Sequence, residues 1–363
     1  MAGVASCGET SDFVKESRGL VVGKFWPPHR GHVRLIEELS ANCDRVFVVV
    51  CSNHAQRPTG LDRASWIQVL FPTAEVIIDD DRCAWHYPGS CAPECTDVWA
   101  SRIEELGICP IHVVAAGESY GKAFAKALGA RHLDVDRNAD GGVSASQIRA
   151  DLARFCSDLP LVVRAGLYRK VTILGAESTG TSTLASDLAR ELQGPLASEA
   201  GRTYSWKLFA AEGSMDAVKW TEHHFWQIVD RQSRLERDSV WTHAMEKPVS
   251  AEPWLVCDTD TLATVAWWER YLKSDASAVE KLALARTADL YIHTSPAGID
   301  FDDSDPTRDG RQIRLAMASR FRDLLEQSGS PWIEVVGARE SRLNQAVQAI
   351  RDFDKSHPRW VHH

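Results

Sequence analysis

Short apolar, β-branched runs alternate with amphipathic stretches along the chain, and they do so twice over. In the first series, 19–24, 45–51, 75–78, 111–115 and 131–135 read as strands. Residues 31–41, 61–70, 97–106, 121–128 and 145–153 carry the helical repeat. In the second series the strands are 170–174, 254–257, 290–293 and 332–336. Its helices are 181–192, 220–237, 261–272, 313–327 and 340–353. Strand–helix alternation implies a parallel sheet with helices on both faces. The expected fold class is therefore α/β, with two doubly wound parallel-sheet domains. We expect a disordered tail over 1–17, a first domain over 18–157 and a second over 170–357. A linker over 158–169, containing Pro160 and Gly166, is expected between them.

Composition narrows the function classes. Of 363 residues, 25% are charged and 44% hydrophobic, as in ordinary globular domains. Lys and Arg total 41 against 50 Asp and Glu, a net charge of −9. Non-specific nucleic-acid affinity comes from cation-rich surface, so no nucleic-acid partner is expected. The apolar runs fall short of the ~20 residues of a membrane span. The N-terminal residues lack a signal-peptide pattern. Nine scattered cysteines fit a reducing, cytoplasmic setting better than a disulfide scaffold. Cys83, His86, Cys91 and Cys95 cluster between a strand and a helix. Their spacing lacks a C-x-x-C pair, so a loop with free thiols is the better reading than zinc.

Two loops carry the candidate chemistry. The first, Gly23-Lys24-Phe25-Trp26-Pro27-Pro28-His29-Arg30-Gly31-His32, joins the first strand to the first helix and contains H-x-G-H. The carboxyl end of a strand is where open α/β sheets bind ligands. The helix start supplies free N–H groups for an anion. Near the end of that domain, Ser144 and Ser146 precede a helix carrying Arg149, a second possible phosphate cradle. The second loop, Gly175-Ala176-Glu177-Ser178-Thr179-Gly180-Thr181-Ser182 with Thr183 behind it, follows a strand and opens a helix. It matches G-x-x-x-x-G-K-[ST] except that Thr181 stands at the lysine position.

H-x-G-H followed by S-x-S/T-x-x-R resembles the signature of the nucleotidyltransferase α/β phosphodiesterase superfamily. Within it, GKFWPPHRGH and SASQIR look like the NadR-type nicotinamide mononucleotide adenylyltransferases. Arg63 and Trp66 match the family's R-x-x-W segment, and Glu118 and Tyr120 fall in its S-E-x-Y-G loop. The second half resembles the ribosylnicotinamide kinase half of the same proteins. Glu199 and Arg202 lie in an E-x-G-R segment, and Asp258 and Asp260 in D-T-D-x-x-T. Asp302, Asp303 and Arg308, with Arg311 beyond, look like its lid, interrupted by Ser304-Asp305-Pro306. The helix-turn-helix domain of that family's best-known members is not expected here, because only seventeen residues precede the first strand.

The resemblance implies transfer of AMP from ATP to nicotinamide mononucleotide (NMN), giving NAD and pyrophosphate. It also implies phosphorylation of nicotinamide riboside to NMN, both steps with Mg²⁺ and with ATP as co-substrate. The NMN phosphate has a second pKa of ~6 and needs no base; charge developing on phosphorus and pyrophosphate needs fixed donors. His29 and His32 are assigned to the α- and β-phosphates, and Arg149, Ser144 and Ser146 to the leaving β/γ-phosphates. Gly23, Phe25 and Gly31 shape the loop. Lys24 is either a phosphate contact or a solvent-exposed strand end. Trp66 either stacks on nicotinamide or fills a helix face. The riboside hydroxyl does need a carboxylate: Glu199 is the first candidate, with Asp258 as rival. Ser182 and Asp258 are candidate Mg²⁺ ligands. Arg202 and Asp260 are assigned to the ribose, and Arg308 and Arg311 to the phosphates in place of the lysine. Trp267 and Trp268 either wall a nicotinamide pocket or fill the core. Two other readings stay open: a P-loop domain that only senses nucleotide, and a nucleotidyltransferase for another phosphate. A homo-oligomer is compatible with the sequence.

Overall fold

The computed structural model describes residues 16–80, 94–117, 120–136, 142–302 and 304–361. The chain divides into two compact units. The first comprises 1–150, 158–163 and 360–363; the second comprises 151–157 and 164–359. Within the stretch expected as a linker, Leu161–Gly166 is helical.

The first unit is built on five parallel strands: β1 (Arg18–Gly23), β2 (Arg45–Ser52), β3 (Glu75–Asp80), β4 (Val113–Ala116) and β5 (Arg131–Asp134). Their order is β3-β2-β1-β4-β5. Successive strand residues face opposite sides of a sheet, and here both sides are apolar. Leu20, Phe47, Val49 and Val114 enter one core, while Val21, Val48, Val50 and Val113 enter the other. β1 pairs with β2 on one edge and β4 on the other, so the strand order reverses at it. The crevice beyond its carboxyl end is where such a sheet binds ligands. Gly121 shows how tightly a helix packs here: a Cβ would lie 2.4 Å from His132 Nε2 and 2.6 Å from Ala116 Cβ.

The second unit repeats the plan with β6 (Arg169–Leu174), β7 (Leu196–Ala197), β8 (Trp254–Asp258), β9 (Leu290–Thr294) and β10 (Trp332–Val335). All pairings are parallel, in the order β10-β9-β6-β8-β7. Here β6 sits between β8 and β9, so the loop after it opens at the centre of the sheet. Val171, Ile173, Val256 and Ile292 fill one face. Leu174 and Tyr291 join the core on the other, with Phe225, Leu262 and Phe321 from the covering helices.

Most expected elements are present within a few residues; the short strand β7 is additional, and the helices differ at several places. The helix expected over 145–153 is two, Ala145–Ala150 and Leu152–Phe155. Asp151 breaks it by turning its side chain to cap Arg154 N–H at 3.1 Å. The helix expected over 220–237 runs as Glu222–Glu246, burying Val240 and Ala244 in its extension. Helices Ala200–Glu212 and Ser277–Leu284 had not been expected. The first buries only Ala200 and so presents no apolar stripe to read. Among the described residues, no helix is long and apolar enough to cross a membrane. Cys43, Cys51, Cys109, Cys156 and Cys257 are free thiols.

Candidate functional sites in the two units

In the first unit the H-x-G-H loop is shaped by its own side chains. His29 caps helix Arg30–Asn42, its Nδ1 accepting the Gly31 N–H at 3.1 Å. The His29 N–H in turn donates to His32 Nδ1 at 3.3 Å. The two rings lie 3.9 Å apart, centre to centre, and both are buried. With each Nδ1 accepting, a neutral ring carries its proton on Nε2. In that tautomer the donor of each ring is its Nε2–H. Phe25, with φ +47°, turns the loop inward and packs against His32 at 4.9 Å.

Arg149 comes from the far end of the unit onto this loop. Its Nη1 donates to the Trp26 carbonyl at 2.6 Å, and its guanidinium lies 4.3 Å from the Trp26 ring centre. Its Nη2 donates to Ser146 Oγ at 3.0 Å. Burial pulls its pKa below the ordinary arginine value. Trp360 also packs edge-on against Trp26 at 6.1 Å, a contact that the sequence reading had missed. Ser144 forms a reciprocal cap with Gln147, its Oγ donating to Gln147 Oε1 at 2.9 Å and accepting the Gln147 N–H at 3.3 Å. Lys24 is half-buried at the end of β1, and Gly31 is buried. Trp66 is buried on helix Gly60–Leu70, and the Tyr120 hydroxyl donates to the Val22 carbonyl at 3.5 Å. Glu118, Asp303, Cys83, His86 and Cys91 lie outside the described residues, as does the side chain of Cys95.

Arg63 is corrected from a substrate contact to an internal brace. It is fully buried. Its guanidinium donates to the carbonyls of Lys24, Cys51 and Thr59, to Ser52 Oγ at 2.7 Å and to Gln56 Oε1 at 2.8 Å. It thereby ties the ends of β1 and β2 to the helix behind them. Arg63→Met is expected to leave these acceptors unpaired, at about 1–3 kcal/mol for each that stays dry. Thermal unfolding should register this as a fall of several degrees.

In the second unit the P-loop is held in its ligand-cradling form. Ser178 and Gly180 have φ of +57° and +81°. Gly175 admits no side chain, since a Cβ would lie 2.0 Å from Thr294 Oγ1. Two arginines absent from the sequence reading brace the loop by its carbonyls. Arg342 Nη1 donates to Thr179 O at 2.9 Å, and Arg314 Nη2 to Ser178 O at 2.8 Å. Helix Thr181–Glu191 starts here, with Thr183 exposed on it.

Carboxylates gather at the mouth of this loop. The Ser182 hydroxyl hydrogen-bonds Asp258, whose Oδ1 is buried with no hydrogen-bond partner among the described residues. Burial pushes the Asp258 carboxyl up. Burial and the like charge of Asp258 push Glu199 up to about 7. A hydroxyl and a buried carboxylate oxygen without a partner are hard oxygen donors that fit Mg²⁺. Arg202 Nη1 donates to Ser182 Oγ at 3.2 Å, and its Nε lies 3.8 Å from Glu199 and 3.9 Å from Asp305. Glu177, also pushed up to about 7 by burial, accepts the Asp309 N–H at 3.0 Å. Arg308 bonds the Asp302 carbonyl and lies 3.1 Å from its carboxylate. Arg311 is exposed.

The pocket beside these groups is lined by Glu177, Thr181, Glu199, Arg202 and Arg308 at one side and by Trp220, Trp267 and Tyr271 among its aromatic groups. Trp220 stacks on Tyr271 at 4.9 Å, and Trp267 does so at 5.9 Å. The Tyr271 hydroxyl donates to Asp309 at 2.7 Å. Trp268 is core. Asp260, assigned to the ribose from the sequence, lines the pocket and is also anchored by the protein. Its Oδ1 accepts the Leu262 N–H at 2.9 Å, and its Oδ2 accepts the Tyr291 hydroxyl at 3.0 Å and lies 3.1 Å from Lys170 Nζ. Both oxygens are thus engaged by the protein.

Comparison with known proteins agrees with this architecture. A family model described as "AAA domain" matches residues 170–342. The trifunctional NAD biosynthesis/regulator protein NadR of Escherichia coli (strain K12) is 30% identical over 208 residues, 52% of this chain and 50% of that protein. NadR of Salmonella typhimurium (strain LT2) is 30% identical over 204 residues, 51% and 49% respectively. The chain spans about half the length of these curated relatives. A crystal structure of NadR with NAD and AMP-PNP aligns with a TM-score of 0.61 at 20% identity, covering 94% of this chain and 96% of that one. Another, with NR, aligns at 0.62 and 21%, covering 93% and 96%. The fold and loops define a two-domain α/β protein whose C-terminal half carries a P-loop and matches the AAA-domain family model. Over about half its length the chain is 30% identical to NadR, and over nearly all of it the fold matches that of the NadR crystal structures.

Proposed function

We propose that the first unit transfers AMP from ATP to NMN, releasing pyrophosphate and forming NAD. The observation that carries this reading is Arg149 seated on the loop of His29 and His32. The NMN phosphate oxygen attacks the α-phosphorus, and the bond to the β-phosphate bridging oxygen breaks. The two Nε2–H groups steady charge on the five-coordinate phosphorus, and Arg149 with Ser146 meets the departing pyrophosphate. Ser144 acts through the helix cap, and Arg63 holds the loop from behind.

The second unit, in our reading, phosphorylates nicotinamide riboside to NMN, the substrate of the first. Glu199 accepts the 5′-hydroxyl proton as that oxygen attacks the γ-phosphorus and ADP leaves. The aromatic wall that Trp220, Tyr271 and Trp267 give the pocket suits a flat cationic ring. Ser182 and Asp258 would hold Mg²⁺, which supplies charge neutralisation on the phosphates. The NadR structures bound to NAD, AMP-PNP and NR support these ligand classes. Thr181 favours a second reading, in which this unit senses nucleotide without transferring phosphate.

Product chromatography separates the readings. Protein and MgATP are incubated with NMN in one tube and with nicotinamide riboside in another. NAD in both tubes is the expected result. NAD from NMN alone selects the sensing alternative for the second unit. NAD in neither overturns the proposal and points to another phosphate acceptor.

A further inference from the structure

A lysine at position 181 would place a positive charge on the terminal phosphates of a bound nucleotide, and this loop has threonine there. The cations nearest the loop are mostly committed. Arg314 and Arg342 brace its carbonyls from beneath. Lys170 is buried between Asp260 at 3.1 Å and Glu236 at 3.2 Å. Among the described residues, Arg202 and Arg308 are the arginines lining the pocket. Arg308 holds the lid residue Asp302 through carbonyl and carboxylate together.

Arg202 is differently placed. It lies in the first turn of helix Ala200–Glu212, and its Nη1 meets the hydroxyl of Ser182, the residue next to Thr181. Its carboxylate contacts, at 3.8 Å and 3.9 Å, are longer than charge-assisted hydrogen bonds. Its side chain is 41% exposed, so a small rotation frees it. We propose that Arg202 supplies, from a different element, the phosphate charge that the P-loop lysine supplies elsewhere; this rests on the kinase reading of the second unit. A guanidinium fork binds two phosphate oxygens at once. Moving onto the phosphates, it releases the Ser182 hydroxyl. In the transfer, the riboside oxygen bonds the γ-phosphorus, the bond to the β-phosphate bridging oxygen breaks, and the hydroxyl proton passes to Glu199. The charge left on ADP is the charge that Arg202 offsets.

The test is a charge swap in the full chain: wild type, Arg202→Gln, Thr181→Lys and the double variant. Calorimetry reads ADP affinity, and chromatography reads riboside phosphorylation. Arg202→Gln is expected to weaken ADP binding about tenfold or more and to lower kcat by about 10²–10³-fold. Lysine at 181 in the double variant is expected to recover much of both. If glutamine at 202 prevents folding, Arg202→Lys takes its place, with the loss again expected in ADP affinity rather than in riboside KM. Unchanged ADP affinity with a raised riboside KM would place Arg202 on the sugar and overturn the proposal. So would a folded double variant no better than Arg202→Gln. If wild type binds ADP but makes no NMN from riboside, the kinase reading fails, and the ADP comparison still decides the role of Arg202.

Discussion

His32→Ala is expected to lower the rate of NAD formation from NMN by about 10²–10³-fold, with a much smaller change in the KM for ATP. His32 Nδ1 accepts the His29 N–H, so the ring's proton is on Nε2. A donor fixed in a buried site acts mainly on charge that develops during reaction, so its loss appears in kcat. His29→Asn serves as the companion variant. Asparagine is a good helix cap, so it preserves the start of helix Arg30–Asn42 while removing the ring donor. A similar fall in kcat with an unchanged melting temperature is expected. If both variants keep wild-type kcat, the histidines only shape the loop and the charge is met elsewhere. Measured rates at saturating ATP and NMN decide this.

Glu199 governs the second large effect. Burial and the like charge of Asp258 push its carboxyl up to about 7. Below that pH it holds its proton and cannot accept another from a hydroxyl. Riboside phosphorylation should therefore fall as pH drops through the range in which the Glu199–Asp258 pair takes up its proton, and level off above it. Glu199→Gln is expected to lower the rate by about 10²–10⁴-fold and to flatten this limb. The same shift fixes the sign of a stability effect. A carboxyl whose pKa is raised by folding favours the folded state while protonated, and that contribution is lost as pH rises from the ordinary 4.5 through about 7. Glu199→Gln should thus be more heat-stable than wild type above pH 7, though slower. Glu177 titrates in the same range, because burial raises it too. Glu177→Gln keeps an oxygen to accept the Asp309 N–H, so the pH limb should survive in that variant. A limb that vanishes with Glu177→Gln and persists in Glu199→Gln would transfer the role to the lid contact.

Alternation along the chain was enough to read two parallel α/β sheets and the loops at the ends of their central strands. Both are local properties: alternation within a strand, and glycine, proline and histidine spacing within a single turn. The sequence also carried the departure at Thr181. It could not separate arginines and carboxylates that meet a ligand from those that hold the protein together. Arg63 matched a ligand motif, yet the fold surrounds it with its own carbonyls and a hydroxyl. Arg314 and Arg342 matched no motif and hold the P-loop. Arg149 meets Trp26 from 123 residues away. Helix Ala200–Glu212 escaped notice because a mostly exposed helix carries no apolar stripe. These contacts are legible only in the folded chain, because the side-chain chemistry is the same in either role. What differs is which distant backbone groups burial brings within hydrogen-bond reach.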